Sequence, residues 1–146
     1  TTLEAAKKYG FPLENIHFEV TESEEVREKS HLAGIIEAYK KLGFTTAIDD
    51  FGAGFSGLNL LAEFQPDYIK IDRALIDCVD QKPVKQAIIE GVLLTCQKLD
   101  IGVLAEGVER REEYEWLRAK GVDLFQGYYF AHPGFEQLPA VPDDRF

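Results

Sequence analysis

Two hydrophobic rhythms alternate along this chain. Short, nearly continuous apolar runs recur at 15–20 (NIHFEV), 44–49 (FTTAID), 67–72 (DYIKID), 102–107 (GVLAEG) and 122–130 (VDLFQGYYF), each of strand length. Stretches with a helical period separate them at 23–43, 58–64, 82–100 and 110–121. Helix punctuation agrees: Ser23 is placed to cap the first, Gly43 and Gly121 close two of them, Pro83 suits a first turn, and Pro66 stops the short one. Strands separated by helices pair in parallel, because a parallel crossover needs about a dozen residues. The class is therefore α/β. The opening TTLEAAKKYG reads as the later turns of a helix and the end as a Pro/Asp-rich tail, so the chain is expected to be a piece of something longer.

Periodicity alone leaves a doubly wound sheet and a (β/α) barrel open; the polar residues discriminate. Each apolar run turns polar at its C-terminal end: Glu19 with Glu22 three on, Asp49 and Asp50, Lys70 then Asp72, Glu106 with Glu109 three on, and Gln126. A barrel brings all C-terminal strand ends to one face, where such residues converge. Glu22 and Glu109, taken singly, also fit helix caps or surface positions.

With 146 residues and 45% hydrophobic content, the chain has the size and apolar fraction of one domain. A net charge of −10 with no basic cluster argues against a nucleic-acid polymer or an anionic membrane as partner, and an anionic ligand would need cations. No apolar run reaches the roughly 18–20 residues of a membrane span. Cys78 and Cys96 lack a C-x-x-C arrangement and read as buried free thiols of a reducing compartment, so a cytoplasmic location is expected.

Gly52, Gly54 and Gly57 form G-x-G-x-x-G, a spacing that can cradle a dinucleotide pyrophosphate. Asp49 and Asp50 stand where the diphosphate would lie, and only about two helical turns follow before Pro66, so repulsion decides against that reading. Adjacent buried carboxylates instead call for cations. Glu19, Asp49, Asp50 and Glu106 with one lysine make a hard-oxygen set suited to Mg²⁺ or Mn²⁺. Two such ions about 3.5–4 Å apart clamp the attacking and leaving oxygens of a phosphoryl displacement, which points to phosphoester hydrolysis. His17, His31 and His132 have no zinc-like spacing.

FEVTES, AIDDFGAGFSGLNLL, PDYIKID, LAEGVE and FQGYYFAHP, in this order from about Asn15 to Pro133, closely resemble the EAL-domain family of bacterial cyclic di-GMP phosphodiesterases. The resemblance implies a TIM-like (β/α) barrel with one antiparallel strand, here incomplete at about five β/α units. Residues 1–135 would be the C-terminal portion of the domain and 136–146 a tail. It implies hydrolysis of cyclic di-GMP to linear pGpG with two Mg²⁺ or Mn²⁺ ions, homodimers, and sensory domains in the parent protein. Glu19 is then expected to bind the first metal, Asp49 to bridge, Asp50 to bind the second, and Glu106 to bind that metal or its water. Lys70 is expected to contact the nucleophilic water, Gln126 to fix the water network and Glu109 to orient the metal ligands. Phe51, Gly52, Ala53, Gly54, Phe55, Ser56 and Gly57 resemble the family's regulatory loop, anchored by Glu22. The Glu-Ala-Leu motif and a metal-binding Asn are expected upstream of Thr1. Their absence keeps one alternative in view, a module that binds cyclic di-GMP or a protein partner without turnover; an unrelated metal-dependent phosphoesterase on a barrel is a third possibility.

Overall fold

The structure, a computed structural model, describes residues 1–21, 29–54 and 57–145, with the side chains of 29–32 left aside. Glu22, Ser23, Phe55, Ser56 and the His31 side chain lie outside the described residues. Along the chain come α1 (Thr2–Tyr9), β1 (His17–Thr21), α2 (Lys29–Leu42), β2 (Thr45–Phe51), α3 (Gly57–Glu63), β3 (Tyr68–Ile71), α4 (Arg73–Ile76), α5 (Pro83–Leu99), β4 (Gly102–Ala105), α6 (Arg111–Ala119) and β5 (Leu124–Phe125).

The five strands pair in the order β1-β2-β3-β4-β5, every pair parallel. A doubly wound sheet reverses its strand order at a switch point; this one never does. Sequential order is the winding of a (β/α) barrel, and five strands make an incomplete one.

Register sorts the side chains onto two faces. Val20, Ile48, Ile69 and Val103 occupy one row, and Ile48, Ile69, Ile71 and Ala105 are fully buried there beneath the helices. Leu60 and Leu61 of α3, Ile76 of α4, Ile89, Val92 and Cys96 of α5 and Leu117 of α6 complete this core. Burying each aliphatic side chain is worth about 1.5–3 kcal/mol, so this helix-covered face carries the stability. The opposite face takes Glu19, Ala47, Tyr68 and Gly102 in one row and Lys70, Leu104 and Leu124 in the next. On this face Ala47 is buried, while Leu124 at its β5 end is 43% exposed.

Two expectations change. The strand anticipated at 122–130 shrinks to Leu124–Phe125, because the chain turns sharply at Gly127. A Cβ there would sit 2.0 Å from the Val108 carbonyl oxygen, so only glycine permits the approach. The turn lets Tyr129 and Phe130 pack on Tyr114 of α6, with centroids 5.7 and 5.5 Å away, and that aromatic burial outweighs further strand pairing. The second change is α4, which directly follows β3. Asp72, anticipated among the strand-end acids, accepts a hydrogen bond from the Ala74 N–H at 2.8 Å and caps this helix. Both cysteines are free, Cys96 buried and Cys78 half-buried.

Candidate active site

Consecutive strand residues point to opposite faces, so a regular β2 would separate Asp49 from Asp50. The β2–β3 register instead shifts between Ile48 and Phe51, and Asp50 takes φ 54, the left-handed conformation that non-glycine residues rarely adopt. This bulge turns both carboxylates toward one place: oxygens of Asp49, Asp50 and Glu106 all lie within 4.8 Å of one another. Holding Asp50 there costs on the order of 1–3 kcal/mol, which the surrounding sheet supplies.

Lys70 is the centre of the cluster. Its Nζ lies 2.8 Å from Glu106, 3.0 Å from Asp49 and 3.1 Å from Glu19, while its side chain is only 12% exposed. Burial disfavours the ammonium, but the hydrogen bonds it donates to Glu106, Asp49 and Glu19 outweigh that, and the lysine pKa is raised. The Lys70 ammonium is thus shared by three carboxylates. Burial also raises Asp50, reinforced by the charge of Asp49. For Glu106, burial raises the pKa more than Lys70 lowers it, and Asp49 adds to the rise. Four carboxylates around one ammonium leave negative charge in excess. Asp49, Asp50 and Glu106, with hard oxygens this close and two of them reluctant to ionise, fit a divalent cation. A second acidic group, Asp77, Cys78 and Glu113, is consumed internally: Asp77 pairs with Lys82 and Lys85, and Glu113 accepts four hydrogen bonds.

The remaining anticipated residues lie beside this cluster. Glu109 makes a two-pronged pair with Arg73 at 2.6 and 2.8 Å. Gln126 follows β5, its backbone bonded to Ala105 and Val108. Both line a cavity of about 410 Å³ together with Arg73, Tyr128 and His132. In the glycine loop, Phe51 is the last residue of β2 and a core residue at 3% exposure. Gly52 has φ 98, and a Cβ there would strike Leu75 of α4 at 2.3 Å, so this glycine lets the loop close over α4. Ala53 donates to the Asp50 carbonyl at 3.0 Å, which closes the turn behind the bulge.

Sequence reasoning missed Arg73 and Glu113. Glu113, 2% exposed, accepts from the backbone N–H groups of Cys78, Glu109 and Arg110 and from the Arg110 guanidinium. It ties the loop that carries Glu106 and Glu109 to the loop after α4. The available signal was its place at the third position of α6, from which a glutamate reaches back to the cap; an arginine at the cap hid it.

Fold and site together define a segment of a parallel (β/α) barrel with a carboxylate–lysine centre at its C-terminal rim. The chain belongs to the EAL domain family, whose model matches residues 1–133. The blue light- and temperature-regulated antirepressor BluF of Escherichia coli (strain K12) is 43% identical over 128 residues, covering 88% of this chain and 32% of its own length. Cyclic di-GMP phosphodiesterase PdeR of the same strain is 34% identical over 131 residues, covering 90% of this chain and 19% of its own. A standalone versatile EAL protein from Vibrio cholerae O395, in a c-di-GMP-bound form, matches with a TM-score of 0.94 at 55% identity, over 99% of this chain and 61% of that one. A manganese and cyclic di-GMP complex of Klebsiella pneumoniae BlrP1 matches with a TM-score of 0.85 at 41% identity, over 90% of this chain and 34% of that one. The chain therefore spans about a third or less of these curated relatives. No helix among the described residues is long and apolar enough to cross a membrane.

Proposed function

We propose that this chain is the C-terminal portion of a cyclic di-GMP phosphodiesterase domain that hydrolyses the cyclic dinucleotide to linear pGpG. The observation that carries the reading is the convergence of Glu19, Asp49 and Glu106 on Lys70, with Asp50 turned into the same cluster by the β2 bulge. Glu19, Asp49, Asp50 and Glu106 would hold two Mg²⁺ or Mn²⁺ ions. When bound, these ions supply charge neutralisation and Lewis acidity at the phosphodiester.

In the reaction, a water oxygen bonds to phosphorus and the bond from phosphorus to the 3′ oxygen breaks. The water loses a proton and the leaving oxygen gains one. The Lys70 ammonium, held by three carboxylates, orients that water and offsets the anion developing on the phosphorane oxygens. Glu106, 2.8 Å from the Lys70 ammonium, would bind the second metal or its water and so hold the attacking water beside that cation. Gln126 and Glu109, on the cavity wall, fix the water network and the adjoining Arg73. The Gly52–Gly57 loop couples the site to α3, and the assembly envisaged is a cytoplasmic homodimer driven by a sensory domain.

A second reading, a sensor that binds cyclic di-GMP without turnover, draws support from the antirepressor name carried by BluF. Both readings meet one assay: the full-length protein is incubated with cyclic di-GMP and Mg²⁺ and the products are separated by chromatography, alongside Asp50→Asn and Lys70→Ala. Production of pGpG by the parent and its loss in both variants supports the enzyme. Tight binding with no product supports the sensor, and unchanged rates in the variants overturn the site assignment.

A further inference from the structure

The last residues of the chain, beyond the segment that matches the family, fold back toward the site. The family match ends at residue 133. Gly134 and Gln137 then form an antiparallel bridge, which reverses the chain. At the other end, the Arg145 guanidinium stacks over Tyr129, 4.8 Å from the ring centroid, and Tyr129 is a core residue at 6% exposure. Between these two anchors, Pro139 lies on the wall of the 410 Å³ cavity that Glu109 and Gln126 also line.

The opposite walls suit a flat, polar-edged ring. Tyr128 and His132 pack with ring centroids 4.2 Å apart and planes tilted by 32°, Gln126 offers an amide, and Arg73 is held in place by Glu109. The volume falls in the range of small-ligand pockets. That volume is large enough for one nucleotide of a dinucleotide.

We propose that residues 134–145 form the outer wall of this cavity and set the affinity for a purine nucleotide held in it, making the tail a specificity element. This rests on the phosphodiesterase reading. The tail touches no carboxylate of the cluster among the contacts described, so its influence falls on binding of the nucleotide and not on the bond-breaking step. Arg145 acts through the tail, as a positioning residue: its stacking on Tyr129 fixes where Pro139 lies.

The test uses the full-length protein, Arg145→Ala, and a form lacking residues 136–146. Cyclic di-GMP binding is measured at equilibrium in calcium, the ion present with the dinucleotide in another Klebsiella pneumoniae BlrP1 complex. Hydrolysis is measured in Mg²⁺ with cyclic di-GMP and with bis(p-nitrophenyl) phosphate, a phosphodiester without a purine. Arg145→Ala is expected to weaken cyclic di-GMP binding and raise its KM about three- to tenfold, the span of a lost cation–π contact. Its kcat, and its rate with bis(p-nitrophenyl) phosphate, stay unchanged. The truncation is expected to give the larger shift in the same direction, and should it fail to fold, Arg145→Ala decides alone. Unchanged binding in Arg145→Ala, or equal losses on both substrates, overturns the tail's role and leaves the phosphodiesterase reading intact. A parent that binds no cyclic di-GMP overturns both, and one that binds without hydrolysis overturns the enzyme while the binding comparison still decides the tail.

Discussion

Lys70→Met in the full-length protein isolates the charge at the centre of the site. Methionine preserves most of the buried stem and removes the ammonium, leaving Glu19, Asp49 and Glu106 facing one another without their shared cation. Removing one partner of a buried ion pair costs about 3–5 kcal/mol. Because Glu19 is 40% exposed and recovers solvation, the expected loss in metal-free buffer at pH 7.5 is about 2–4 kcal/mol. For a domain of this size class that lowers the melting midpoint by about 5–15 °C. The pH dependence follows from the carboxylates. Lys70 holds down a Glu106 pKa that burial already raises, so without it that pKa rises further; the penalty is complete above the raised value and fades as the pH falls toward the unfolded one. Melting scans at pH 5 and 8, each with and without Mg²⁺, are therefore expected to show the largest deficit at pH 8 without metal. Mg²⁺ or acid should shrink it. A deficit of equal size in all four conditions would mean that packing of the stem was lost and not charge compensation, and would refute the reasoning.

Asp50→Gly removes the left-handed strain at φ 54 along with a carboxylate. It is expected to stabilise the metal-free protein by about 1 kcal/mol while weakening Mn²⁺ binding, checked by melting scans and metal titration. Glu113→Gln leaves fewer acceptor sites for the four hydrogen bonds that converge there and should cost about 2–4 kcal/mol, read by chemical denaturation. Asp50 and Glu106 have raised pKa values, so the fold pays for ionising them as the pH climbs from the unfolded value through the raised one. A cation binds the ionised forms, so the rise in melting midpoint on adding Mn²⁺ should be larger at pH 8 than at pH 5. Gly52→Ala, with φ 98 and no room beside Leu75, is expected to destabilise by about 1–2 kcal/mol or more in the same scans.

Much of this protein is written locally. Val and Ile at 48, 69, 71, 92 and 103 follow the strand and helix periods because those periods are set by backbone geometry, and helices between strands require parallel pairing. The acids and the lysine at strand ends are visible for the same reason, since a buried strand does not tolerate them without a partner. What remained hidden depends on contacts between distant segments. Nothing local marks the bulge that swings Asp50 to the side of Asp49, because it arises where β2 slips against β3. The role of Asp72 as a cap, the burial of Phe51, the Glu113 hub and the early end of β5 at Gly127 likewise follow from what packs against each residue. The sequence by itself determined which residues carry charge and which strands run parallel. Only the tertiary structure decided that three of the four acids share one lysine, and that Pro139 of the tail lines the neighbouring cavity. Side-chain direction alternates along a strand, and one inserted residue or one distant neighbour reverses it.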